Sequence, residues 1–165
     1  MIRTDINIRW RCILYPWKVD EELIEKMARA GCKEVSFGFE SGSESMLKRM
    51  NKRYTAEDVR NISKMLEKHQ IRRLGFLLLG GPGETRESVE KSLSFADSLK
   101  TEAMKITTGI RIYPRTALHR IAVDEKLITL KDDLLFPKFY IAKGLKDWME
   151  ETVDRWLAGH ENWVR

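Results

Sequence analysis

Two apolar runs that break into polar, glycine-spaced loops constrain this chain more than any other feature. Val35-Ser36-Phe37-Gly38-Phe39 runs into Glu40-Ser41-Gly42-Ser43, and Leu77-Leu78-Leu79 runs into Gly80-Gly81-Pro82-Gly83-Glu84-Thr85. Each reads as a buried strand, a loop and then a helix. In parallel α/β folds, ligands bind at that C-terminal edge of the strands. One junction carries a carboxylate and the other a glycine-rich turn, so a small-molecule site is predicted there. A cysteine cluster is absent.

The rest of the chain supplies the same alternation. Ile6 to Leu14 reads as a strand with Ile6, Ile8, Trp10 and Cys12 on one face. Asp20 caps a helix bearing Leu23, Ile24, Met27 and Ala28, which Gly31 ends. Glu34 to Phe39 is the second strand, followed by a short helix over Glu44 to Met50. Thr55 caps a helix with the stripe Val59, Ile62, Met65 and Leu66. Arg73 to Leu79 is the third strand, and Thr85 caps a helix that turns Val89, Leu93 and Ala96 inward. Met104 to Ile112 is the expected fourth strand, and Thr116 caps a helix over Ala117 to Val123. This order calls for a parallel sheet with crossover helices. The expected fold is α/β, about four βα units over residues 1–125. Residues 126–165 are expected to form a C-terminal helical extension packing on the same domain. Its helix, Leu145 to Ala158, carries Trp148, Met149, Val153, Trp156 and Leu157.

The chain has 165 residues, enough for one domain with a real core. Its longest apolar stretch, Phe76 to Leu79, cannot span a bilayer, and no signal-peptide pattern opens it, so a cytoplasmic protein with no membrane partner is expected. The formal charge is +5. Basic residues cluster at Lys48, Arg49, Lys52 and Arg53, and at Lys68, Arg72 and Arg73. They read as solvated helix faces or as a nucleic-acid surface, for which Tyr54 is the one nearby stacking platform of the first cluster. The two cysteines, Cys12 and Cys32, lack metal-finger spacing, and Cys32 reads as a small buried thiol. His69, His119 and His160 are scattered. No catalytic group or metal ligand is assigned within the chain.

Glu40 admits two readings. As a strand-end carboxylate it suits the amine or ribose hydroxyls of a ligand; as an acid before a helix it stabilises the turn through the dipole. Gly80 to Gly83 reads either as a loop whose backbone approaches a ligand closely, with Pro82 stiffening the turn, or as a plain βα turn. No Lys-Ser or Lys-Thr follows, so it is not a Walker A loop.

Gly38-Phe39-Glu40-Ser41-Gly42-Ser43, followed by Met46-Leu47-Lys48-Arg49-Met50-Asn51-Lys52, resembles the fourth-strand segment of radical S-adenosylmethionine (SAM) enzymes. Gly80 to Thr85 is similar to their fifth-strand loop, and Tyr113-Pro114-Arg115-Thr116-Ala117-Leu118 to their sixth-strand segment. The three occur in the family's order, from about Arg9 to Ile128, and are most similar to the branch that often carries a cobalamin-binding domain. The resemblance implies part of a TIM-like (β/α)6 barrel. In the family a 4Fe-4S cluster, held by a Cys-x3-Cys-x2-Cys loop, cleaves SAM to start radical chemistry, and cobalamin is a further cofactor of some members. It also implies that Glu40, with Ser41 beside it, contacts the methionine or ribose part of SAM, and that Lys52 meets the methionine carboxylate. Leu79, Gly81 and Glu84 would support the adenine side, and Tyr113 and Pro114 would lie by the adenine. Phe76 stands where some relatives have an acidic ribose contact.

The Cys-x3-Cys-x2-Cys motif and the Gly-Gly-Glu segment of the second strand are both missing. The chain is therefore expected to start at the family's third strand, as the C-terminal part of a longer enzyme that acts on an unidentified small molecule. By itself it is expected to be inactive. Its partner would be the missing N-terminal portion of the barrel, and its open first strand would favour self-association. Two other readings are a stand-alone nucleotide- or anion-binding module and an RNA-modification partner.

Overall fold

The computed structural model describes residues 7–165. Five strands form one parallel sheet: β1 (Trp10–Leu14), β2 (Cys32–Glu40), β3 (Arg72–Leu79), β4 (Ala103–Thr108) and, at the end of the chain, β7 (Trp163–Val164). They lie in the order β1-β2-β3-β4-β7. Helices α1 (Glu21–Arg29), α2 (Glu44–Arg49), α3 (Ala56–Lys68) and α4 (Arg86–Ser98) fall between successive strands, as the sequence alternation requires. Beyond β4 come β5 (Ile110–Arg111), α5 (Ala117–Asp124), β6 (Phe139–Tyr140) and α6 (Lys146–Ala158).

The helix boundaries follow local chemistry. Asp20 accepts the Leu23 N–H at 2.8 Å, and Thr116 accepts that of His119 at 3.1 Å. Thr55 with Asp58, and Thr85 with Ser88, form reciprocal capping boxes. In a strand alternate side chains face opposite ways, so each apolar run splits into two faces. Val35, Phe37, Phe39, Leu77, Leu79, Met104 and Ile106 are buried under the helices, against Ile24, Val59, Leu66, Val89 and Leu93. Each such side chain contributes about 1.5–3 kcal/mol. Leu23, by contrast, is exposed: the buried stripe of α1 is Ile24 and Met27.

The opposite face carries Ile13, Ser36, Gly38, Glu40, Phe76, Leu78 and Thr107, all exposed or half-buried. Ile13 is 86% exposed. At the strand starts Arg11 and Arg72 flank Glu34 at 4.0 and 3.8 Å, a ladder across three strands. Behind the sheet, the buried Arg73 guanidinium reaches Glu102 at 2.9 Å, Glu67 at 3.2 Å and the Lys100 carbonyl at 2.9 Å, pinning the start of β3.

Three expectations change. The first strand begins at Trp10; Ile8 precedes it and is exposed, and Ile6 lies outside the described residues. The fourth strand does not run through to Ile112. Gly109, at φ +84, bends the chain out of the sheet, and Ile110–Arg111 pair antiparallel with Phe139–Tyr140. That partner comes from the segment Leu127 to Lys143, which shows no period in the sequence. Finally, Trp163–Val164 add a fifth strand beside β4, because Trp163 stacks on His160 at 4.3 Å and is buried. Among the described residues no helix is long and apolar enough to cross a membrane.

Candidate functional site

The sheet's C-terminal edge gathers the two loops that the sequence singles out. β2 ends irregularly: its register against β3 shifts between Gly38 and Glu40, and Glu40 takes φ +63. Left-handed backbone is uncommon outside glycine, and a bulge of this kind re-aims a side chain. Glu40 thereby lies over Gly38, where a Cβ would stand 2.8 Å from Glu40 Oε1. Lys52, in the loop between α2 and α3, donates from Nζ to Glu40 Oε1 at 3.4 Å. Both side chains keep about a quarter of their exposure, 23% for Lys52 and 24% for Glu40. The dipole reading of Glu40 loses ground here, since the acid in the first turn of α2 is Glu44.

Ser41 points elsewhere. It is fully buried, with its hydroxyl 2.8 Å from that of Ser92 and accepting the Ser43 N–H at 3.1 Å. Those bonds tie the loop to α4 and leave no hydroxyl facing outward.

The second loop is stiffened from within. Glu84 Oε2 accepts the N–H groups of Gly80 and Gly81, at 2.5 and 3.0 Å. Burial, the largest influence, raises the Glu84 carboxyl above its ordinary value, and the two backbone donors oppose that rise. Leu79 is fully buried beneath the loop. Gly81 faces Ile110, Met46 and Met50, whose side chains a Cβ there would meet at 3.2–3.5 Å. The same three residues, with Arg49, Pro82 and Leu118, line an apolar cavity of about 370 Å³. A second hollow, about 260 Å³, is bounded by Ile13, Gly38, Glu40, Phe76, Leu78 and Thr107 on the open face of the sheet. Tyr113 and Pro114 are exposed just beyond β5, and no described hydrogen bond or ion pair joins them to Glu40 or Lys52. Phe76 contributes an apolar wall to the smaller hollow.

Sequence reasoning missed Tyr54 as part of this edge. The residue is buried, its ring lies edge-on to Tyr15 at 5.2 Å, and its hydroxyl donates to the Gly38 carbonyl at 3.0 Å. The one signal was a tyrosine set between a basic run and a helix cap.

The chain does not fit an iron–sulfur cluster. Cys32 is buried on the helix-covered face, and its thiol is pushed up to about 11 by desolvation. Desolvation also raises the Cys12 thiol. A cluster needs thiolates and more of them. Among the described residues no group of three or more His, Cys, Asp or Glu could hold a metal ion.

A parallel βα sheet whose strand ends carry a carboxylate–ammonium pair and, beside an apolar cavity, a glycine turn has the architecture of a partial α/β barrel. The chain belongs to the Radical SAM superfamily, whose model matches residues 2–96. This family uses SAM and a 4Fe-4S cluster. An uncharacterized methyltransferase of Pyrococcus horikoshii is 27% identical over 152 residues, which are 92% of this chain and 33% of that protein. The tRNA-2-methylthio-N(6)-dimethylallyladenosine synthase of Clostridium novyi is 33% identical over 94 residues, 54% of this chain and 21% of that one. Among solved structures, the radical SAM methyltransferase TsrM of Kitasatospora setae, with cobalamin and a 4Fe-4S cluster bound, superposes with a TM-score of 0.74 at 21% identity. That match covers 93% of this chain and 38% of TsrM. The chain thus spans about a third or less of the curated relatives it matches.

Proposed function

We propose that this chain is the SAM-facing part of a longer radical SAM enzyme, and that Glu40 and Lys52 hold the amino-acid end of SAM. The observation that carries this reading is the partly exposed Glu40–Lys52 pair at the sheet's C-terminal edge. A zwitterionic amino acid presents an ammonium and a carboxylate on one carbon, so it can engage both partners of such a pair at once. The Gly80–Gly83 loop and the apolar cavity beside it suit the adenine, with Tyr113 and Pro114 at the outer edge. Ser41, Leu79 and Glu84 act from beneath, shaping the two loops without touching the ligand.

In the family the cluster supplies the electron that cleaves SAM. The two cysteines here are unsuited to hold it, so the ligands must come from outside these 165 residues. The chain by itself binds and orients SAM without cleaving it. Its relatives' names support methyl or methylthio transfer for the longer protein, on an unidentified substrate; cobalamin would be a cofactor of that longer protein. The exposed β1 edge and Ile13 suit pairing with the remainder of the barrel, or with a second copy in its place. Light scattering across a concentration series would then show a dimer that Ile13→Lys disperses; a strictly monomeric mass would remove that part of the reading.

The test of the site is titration of the chain with SAM. Glu40→Gln and Lys52→Met should each weaken binding about ten-fold or more, and wild-type affinity in both variants would sink the assignment. An anion-binding module is less well supported, because the Gly80 and Gly81 N–H groups that would receive an anion already serve Glu84. RNA binding that weakens steeply with salt would instead favour an RNA-modification role through the basic faces.

A further inference from the structure

Three irregularities fall within a few residues at the end of β2. The register slips, Glu40 takes left-handed backbone, and the Ser41 N–H closes a tight turn onto the Phe39 carbonyl at 2.7 Å. Such a conformation persists only where its surroundings hold it. Ser92 holds the residues after the turn, through Ser41 and Gly42, and Tyr54 holds the residue before it: its hydroxyl donates to the carbonyl of Gly38, two residues before Glu40, at 3.0 Å. The ring that delivers this hydroxyl is fixed in turn, 3% exposed and edge-on to Tyr15. Tyr54 also lies two residues beyond Lys52, so one short stretch supplies both the ammonium and the anchor.

We infer that Tyr54 is a positioning residue, whose hydroxyl fixes the bulged end of β2 so that Glu40 presents its carboxylate to a ligand ammonium beside Lys52. The inference rests on the reading of Glu40 and Lys52 as the amino-acid end of the SAM site. A buried phenol needs some acceptor, and many bond to backbone for that reason alone. Here the acceptor is the carbonyl that borders the bulge, and Gly38 is also the residue over which the Glu40 carboxylate lies. Loss of the hydroxyl frees the backbone to relax and swings the carboxylate away from its place, with the ring and its packing retained.

The experiment compares SAM with its analogue lacking the α-amino group, titrated into wild type, Tyr54→Phe, Glu40→Gln and the double variant. Tyr54→Phe should weaken SAM about three- to ten-fold and leave the deaminated analogue unchanged. In the Glu40→Gln background, Tyr54→Phe should then have no further effect on SAM, because the two act through one contact. A Tyr54→Phe variant that weakens both ligands alike, or adds its full effect to Glu40→Gln, has a merely structural tyrosine and overturns the inference. If Glu40→Gln weakens SAM and Tyr54→Phe does not, the site stands and the inference alone falls. If Glu40→Gln changes nothing, or the wild-type chain binds no SAM, the reading of the site fails and the inference goes with it.

Discussion

Glu84 Oε2 lies 3.0 Å from the backbone nitrogen of Gly81 and accepts its N–H, so the loop that looks open in sequence is braced by its own carboxylate. That brace has a pH signature. The buried Glu84 carboxyl is raised, chiefly by desolvation. A raised acid contributes stability that is full below its unfolded pKa, near the ordinary 4.5, and that is lost as pH rises through the folded value. The exposed or partly exposed Glu21, Asp97 and Glu102 are lowered by their basic partners and act in the opposite sense. Wild type should therefore gain stability relative to Glu84→Gln as pH falls from 7 toward 4. Denaturant midpoints of the two proteins across that range check it; parallel curves would contradict the assignment.

Gly42 packs directly against Phe95, and a Cβ on Gly42 would stand 2.3 Å from the Phe95 Cβ. That atom sits next to the backbone of α4 and cannot swing aside. Gly42→Ala should cost about 1–3 kcal/mol, seen as a lower melting temperature. Gly38→Ala makes a useful contrast, since its close contact is the mobile end of Glu40. That variant should melt near wild type and still bind SAM more weakly.

Arg73 is 4% exposed and meets Glu102, Glu67, the Ser63 hydroxyl and the Lys100 carbonyl. Arg73→Met keeps much of the volume and removes every one of these bonds. The carboxylates are near water and rehydrate, whereas the groups around the guanidinium lose their donor, so a loss of roughly 2–3 kcal/mol is expected. Urea unfolding measures it.

Trp163 is stacked on His160 at 4.3 Å and on Trp156 at 5.7 Å, and its strand seals β4. Trp163→Ala should destabilise the chain by about 3 kcal/mol and speed exchange of the β4 amides, Met104 first, since its N–H donates to the Asn162 carbonyl. Amide exchange at wild-type rates would show that β7 is dispensable.

Much of this architecture was legible in the sequence because it depends on short-range chemistry. The caps at Asp20, Thr55, Thr85 and Thr116 bond to groups three residues away, so the helix starts follow from composition and spacing. The apolar runs of β2 and β3 and their order with the helices dictate a parallel sheet. The motif residues point to the family, and the family model agrees. What the sequence left open depends on partners far along the chain. Gly109 ends β4 because Phe139 and Tyr140 wait across from Ile110 and Arg111. Ser41 turns inward because Ser92, on α4, meets it. Glu40 is aimed by a bulge, a bare Gly38 and the hydroxyl of Tyr54. Neighbouring residues set a helix cap, but only the folded sheet decides which face a strand-end side chain occupies, because a one-residue slip in register reverses it.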